Sequence, residues 1–159
     1  MTEGIEDGND RDERTGEEGG SLELRSPYGT TIRFMGRWYD GGRLDGFVVE
    51  LEGEGLRARR SIGLPPWGGL PPSQLFSDLA AHWAGWPGAK TWTSIEGDLR
   101  LSATCGATGH VALEAVLPPA QTGPDWQAVV VVRLMAGEQD RIAAEAAAFF
   151  GPIGGAPPR

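Results

Sequence analysis

From Asp98 to Cys105 the chain reads DLRLSATC, and Leu99, Leu101, Ala103 and Cys105 alternate with Arg100, Ser102 and Thr104. After the loop Gly106-Ala107-Thr108-Gly109 the pattern resumes in HVALEAVL, with Val111, Leu113, Ala115 and Leu117 in phase. A period of two sends successive side chains to opposite faces of a strand, and so short a loop returns the second strand beside the first. An antiparallel hairpin with one buried face is therefore predicted. Ser21–Arg25, Thr30–Tyr39, Phe47–Glu52 and Leu56–Ile62 read the same way, joined by Pro27-Tyr28-Gly29, Asp40-Gly41-Gly42 and Gly53-Glu54-Gly55. Ile32 and Phe34, with Trp38 a further candidate, face inward on the second of these strands. Phe47, Val49 and Leu51 face inward on the third, and Leu56 and Ala58 on the fourth. In Trp126–Leu134 (WQAVVVVRL) β-branched residues crowd both phases, which predicts a strand in a central position.

Two segments change to helical spacing. Leu75, Phe76, Leu79, Ala80 and Trp83 form one stripe, with Ser73 as the expected N-cap and Gly85 as the stop. In Glu138–Phe150 the stripe is Ile142, Ala146, Phe149 and Phe150, and Gly151-Pro152 ends it. The order is four strands, a helix, three strands and a helix, without the strand–helix alternation of a parallel sheet. The expected fold class is α+β: a mainly antiparallel sheet of about six to seven strands with two helices packed on one face.

Charge is distributed unevenly. Residues 1–20 hold eight acidic and two basic side chains, a net charge of −6 out of −8 for the chain. So polar a segment cannot offset the entropy of ordering, and 1–20 is expected to be a disordered acidic tail. A single domain is expected over 21–150 and a flexible C-terminal tail over 151–159. The one cysteine, Cys105, excludes an internal disulfide. No apolar run reaches the length of a membrane span and the N-terminus has no apolar signal region, so a cytoplasmic protein is expected, away from membranes. With no basic surface evident, nucleic acid is not an expected partner.

The chemistry-bearing residues are few. Arg57, Arg59 and Arg60 form the one basic cluster and read as a solvated strand face. Cys105 and His110 flank the hairpin loop and would meet there if both lay near it. Cys105 falls on the apolar phase, however, so a buried, inert thiol is preferred. His82 and His110 with one cysteine offer no zinc spacing, and neither a metal nor a cofactor is expected. Glu96 and Asp98 are conceivable as an acid–base pair, but two carboxylates in a bend more often bind backbone N–H groups. His110, at a strand start, reads as a partly exposed residue bonding the turn. Trp67, in the loop GLPPWGGLPP, either pins that loop to the core or stands exposed for contact.

From Leu75 the residues follow L-F-x-x-L-A-x-x-W-x-G-W-x-G-x-x-x-W-x-S-x-E-G-x-L-x-L. Gly109-His110-Val111-x-Leu113, a late W-x-x-x-V and Ala136-Gly137-Glu138 come after. The pattern resembles a family of short actinobacterial proteins known only as a domain of unknown function, over roughly residues 45–150 of this chain. The segments Trp92–Gly97 and Gly109–Val111 are similar to parts of immunity proteins that protect bacteria from their own polymorphic toxins. Neither resemblance supplies catalytic residues. The second implies a protein that binds and inhibits a toxin.

The expected function is thus non-catalytic protein binding. The candidate contact residues are Trp67, Trp86, Trp92, Glu96, Asp98 and His110, and the candidate partner is a basic toxin domain. A small ligand held between sheet and first helix, near Trp86, Trp92 and His110, is the alternative, and a structural or regulatory subunit is the third option.

Overall fold

In a computed structural model, residues 20–65, 71–123 and 125–151 are described. All but Gly20 of the expected N-terminal tail, all but Gly151 of the C-terminal one, and Trp67 lie outside those residues. The elements are β1 (Leu22–Arg25), β2 (Thr31–Asp40), β3 (Arg43–Gly53), β4 (Leu56–Gly63), α1 (Ser73–Ala81), β5 (Ala89–Thr93), β6 (Arg100–Cys105), β7 (Val111–Leu117), β8 (Ala128–Leu134) and α2 (Gln139–Phe150). The fold is α+β and antiparallel, as expected. The single sheet of six to seven strands is corrected: there are two four-stranded sheets, β1-β2-β3-β4 and β5-β6-β7-β8. The strand missed in the sequence is β5. Its side chains are all exposed or half-buried, with Lys90 and Trp92 on one face and Ala89, Thr91 and Thr93 on the other. That composition carries no apolar alternation.

Each sheet turns one face into a common core. Leu22, Leu24, Ile32, Phe34, Phe47, Val49, Leu51, Ala58 and Ile62 come from the first sheet. Leu101, Ala103, Val111, Leu113, Ala115, Leu117, Val130, Val132 and Leu134 come from the second. The two helices pack on each other, with α1 also against β5 and α2 against β1. Phe76 of α1 and Phe150 of α2 meet the ring of Phe34 edge-on at 6.3 and 5.3 Å, and Phe150 meets Phe47 at 5.2 Å. Burying one such ring contributes about 1.5–3 kcal/mol, so this cluster fastens the helix pair to the first sheet.

Several expectations fail for local reasons. A β-bulge at Gly36 (φ 57°) shifts the register between Met35 and Trp38, and Trp38 comes to lie opposite Gly46 rather than on the face of Phe34. The bulge also aims Arg37 at α2, where Nη1 donates to the Phe149 carbonyl at 3.0 Å, a favourable position for a cation at a helix C-terminus. The helix α1 stops at Ala81: the His82 N–H makes the last helical bond, to the Asp78 carbonyl, and the chain then turns, with the Gly85 N–H bonding the His82 carbonyl and Gly85 at φ 112°. Trp83 therefore leaves the core stripe and is 72% exposed. Ser73 is the first helical residue, not the N-cap; its hydroxyl donates to the Gly151 carbonyl at 3.5 Å and so joins the two helices. Finally, β8 is an edge strand, not a central one. Its second apolar phase, Val129 and Val131, faces outward at 42% and 39% exposure.

The basic cluster of β4 divides between two faces. Arg59 stands beside Glu50, Glu50 beside Arg33 and Arg33 beside Glu23, so charges alternate in sign across all four strands of the outer face. Glu50, 2% exposed, receives Arg59 at 2.8 Å, Arg57 at 3.5 Å and Arg33 at 3.8 Å. Burial pushes its pKa up, but the Arg59 hydrogen bonds and the Arg57 charge outweigh this, and the carboxyl sits below its ordinary value. Arg60 shares the inward phase of Ala58 and Ile62. Its Nη1 donates to the carbonyls of Asp98 at 3.0 Å and Pro118 at 2.6 Å, and its guanidinium lies 4.6 Å from the Trp126 ring. It is a clasp between the two sheets.

Candidate functional site

The antiparallel register of β5, β6 and β7 sorts the candidate residues to opposite ends of the second sheet. Ala89 pairs with Thr104, and Thr93 with Arg100. The chain before β5 therefore lies beside the β6–β7 hairpin, and the turn after β5 lies at the far end. Trp86 and His110 share the first end, and Glu96 and Asp98 share the second. Trp92 pairs with Leu101 between them, its ring half-buried against the core.

At the far end the two carboxylates do different things. Asp98 Oδ1 accepts from the Ser94 hydroxyl, whose oxygen in turn accepts the Leu99 N–H at 3.0 Å. The Gly97 N–H bonds the Ser94 carbonyl at 2.9 Å. Asp98 is thus a bend-forming residue, and its carbonyl anchors Arg60. Glu96 is exposed at the tip, beside the 58% exposed Ile95.

At the hairpin end, Gly106 N–H bonds the His110 carbonyl at 2.9 Å and Gly109 N–H bonds the Gly106 carbonyl at 3.0 Å, which closes the loop tightly. Trp86 is half-buried, its indole N–H donating to the Ala103 carbonyl at 3.1 Å. Lys90 Nζ lies 5.7 Å from the same ring and bonds Asp78 at 2.9 Å. The Lys90 hydrogen bond, with the charges of Lys90 and His82, holds the Asp78 carboxyl below its ordinary pKa against the effect of burial. The pair ties β5 to α1. Gly85 packs against the thiol: a Cβ there would stand 3.6 Å from Cys105 Sγ.

Beside this corner lies a half-open groove of about 510 Å³. Pro27 and Tyr28, from the β1–β2 turn, form one wall. Thr104, Cys105 and Gly106 close the end of β6, with Thr108 and His110 from the hairpin. Ala112, Arg133 and Met135 complete it from β7 and the end of β8. The wall is held in place by Ser26, whose hydroxyl oxygen accepts the Arg133 N–H at 3.4 Å. Cys105 is half-exposed rather than buried, because the inward phase of β6 runs out of core at the sheet end; its Sγ contacts the Gly106 carbonyl at 3.6 Å. His110 Nδ1 is 2.8 Å from Thr108 Oγ1. Cys105 and His110 do line one cavity, as their spacing allowed. Of Trp86, Trp92 and His110, only His110 lines this groove.

The groove brings in residues that sequence reasoning left out. Tyr28 is 89% exposed and Met135 49% exposed. Tyr28 was legible only as part of a turn, and Met135, one residue past the strand Trp126–Leu134, was not singled out. Arg133 stands on the outer face of β8, in a run read as buried on both sides. A large aromatic in a proline–glycine turn was the one signal that pointed here.

A family model described as "Family of unknown function (DUF6228)" matches residues 23–152, from β1 through α2. No curated protein matches, and no solved structure matches. Among the described residues no helix is long and apolar enough to cross a membrane, and no three of His, Cys, Asp and Glu group as metal ligands.

Proposed function

The chain belongs to DUF6228, a family of unknown function, and from the site itself we propose that it is a non-catalytic protein-binding domain. The observation that carries this reading is the exposure of large apolar side chains around one concave surface: Tyr28 and Met135 rim the groove at the hairpin end of the second sheet. Exposed aromatic and methionine side chains beside a groove are the composition of protein contact sites, where such groups become the anchors. The polar groups there are engaged with their own hairpin, Cys105 with Gly106 and His110 with Thr108. That arrangement suits a docking surface better than a nucleophile and its base.

The specific form we propose is an immunity-type inhibitor of a bacterial toxin, acting in the cytoplasm. Its support is the similarity of Trp92–Gly97 and Gly109–Val111 to immunity proteins and the chain's net charge of −8, which speeds encounter with a basic toxin domain. The test is co-expression with any toxin encoded beside this chain, and finding none there would remove the immunity reading. Growth is expected to be restored, and Tyr28→Ala is expected to weaken the protection. Toxicity that persists with the intact chain removes the immunity reading. A small-ligand-binding or regulatory role is the second reading, drawn from the groove volume, which lies within the range of ligand clefts.

A further inference from the structure

We propose that the groove accepts a carboxylate side chain of the protein partner against Arg133, with an apolar neighbour of that residue lying on Tyr28 and Met135. The inference rests on the protein-binding reading and names the chemistry of the contact.

The groove has a charge opposite to that of the chain. Its titratable lining is Tyr28, Cys105, His110 and Arg133, without an acid. Most arginines of the described residues have their charge met internally. Arg25 and Arg33 meet Glu23, Arg57 and Arg59 meet Glu50, and Arg141 meets Glu138 and Glu145. Arg133 has no ion pair among the described residues and is exposed. Its backbone N–H is held by Ser26 and its cross-strand neighbour is Ala112, a small residue that leaves the guanidinium room to swing over the groove floor. A planar fork of N–H donors matches a carboxylate in two parallel hydrogen bonds. His110 lines the same groove, with its Nδ1 2.8 Å from the Thr108 hydroxyl, and adds a polar ring beside the arginine. The same lining carries apolar groups, Pro27, the Tyr28 ring and Met135. An acidic residue followed by an apolar one satisfies both parts. A basic segment would leave Arg133 facing like charge.

The experiment titrates the isotope-labelled full chain with two blocked tripeptides, N-acetyl-Leu-Glu-Leu-amide and its glutamine counterpart, following backbone amide shifts. The glutamate peptide is expected to move the amides of Thr108, His110, Ala112 and Arg133 and to bind about tenfold more tightly than the glutamine one. Arg133→Gln should erase that difference while leaving amides outside the groove where they were, which also shows that the variant is folded. Tyr28→Ala should weaken both peptides alike. Equal binding of the two peptides, shifts confined to another surface, or a preference that survives Arg133→Gln would overturn the proposal. The two readings separate. A partner that binds Arg133→Gln as tightly as the native chain refutes the carboxylate site and leaves protein binding standing. Glutamate-selective shifts in a chain that protects against no toxin support the site and count against the immunity function.

Discussion

Replacing Arg60 with alanine is the sharpest test of how the two sheets are joined. The side chain gives Nη1 to two carbonyls, those of Asp98 at 3.0 Å and Pro118 at 2.6 Å, and stacks 4.6 Å from the Trp126 ring. Hydrogen bonds from a charged donor contribute about 1.5–3 kcal/mol each, and Arg60 is only half-buried, so water recovers part of what the carbonyls lose. The stacked cation contributes about 0.5–1 kcal/mol more. A net loss of about 2–4 kcal/mol is expected, a large share of the roughly 5–15 kcal/mol that holds a domain of this size. Urea unfolding measures it, and a midpoint that falls with an unchanged slope identifies lost stability rather than a changed unfolded state. Arg60→Lys keeps a charged donor but not the planar guanidinium over Trp126, and should recover only part of the loss. A double-mutant cycle with Trp126→Leu should return a coupling of about 0.5–1 kcal/mol. An Arg60→Ala midpoint within about 0.5 kcal/mol of the native protein, the range of an ordinary surface change, would refute the clasp.

Glu50 ties stability to acidity. A carboxyl whose folded pKa is depressed contributes stability that is fully present above its unfolded value near 4.5 and is lost as pH falls through the folded one. The urea midpoint should therefore decline below about pH 4.5, and Glu50→Gln should flatten that decline; an unaltered acid limb in the variant would remove the Arg57–Glu50–Arg59 account. Gly46→Ala would place a Cβ 2.0 Å from Cζ2 of the Trp38 ring, so a loss of about 1–3 kcal/mol and a change in tryptophan fluorescence are expected. Trp38→Ala in the same chain should relieve the clash, and an alanine tolerated without it would contradict the stacking. Trp83→Ala should lower stability by less than about 0.5 kcal/mol, whereas Leu79→Ala, four residues earlier and 2% exposed, should lose about 2–5 kcal/mol. Thermal melts that reverse this ranking would put Trp83 back in the core.

Local patterning determined much of the fold. The alternation of Leu101, Ala103, Val111, Leu113, Ala115 and Leu117 placed their faces correctly, and so did the stripe of Ile142, Ala146, Phe149 and Phe150. The short turns made most pairings antiparallel, and β7 and β8 pair in the same sense across the longer connection between Leu117 and Ala128. These features rest on backbone geometry within a few residues, which a single segment encodes by itself. The tertiary structure decided the rest. A period of two says which side chains share a face but not which strand lies alongside, so neither the division into two sheets nor the edge position of β8 was legible. The exposure of Val129 and Val131 follows from having nothing packed over that face. Trp83 and Trp38 were misplaced because one early helix stop and one bulge each rotate a side chain out of phase. Arg60 shared the phase of Ala58 and Ile62 and was discounted for its charge, yet a long side chain at a sheet edge keeps its stem inward and its head on polar groups. The groove joins the β1–β2 turn to the β6–β7 hairpin and the end of β8, three segments far apart in the chain, and only the packing of one sheet against the other brings them together.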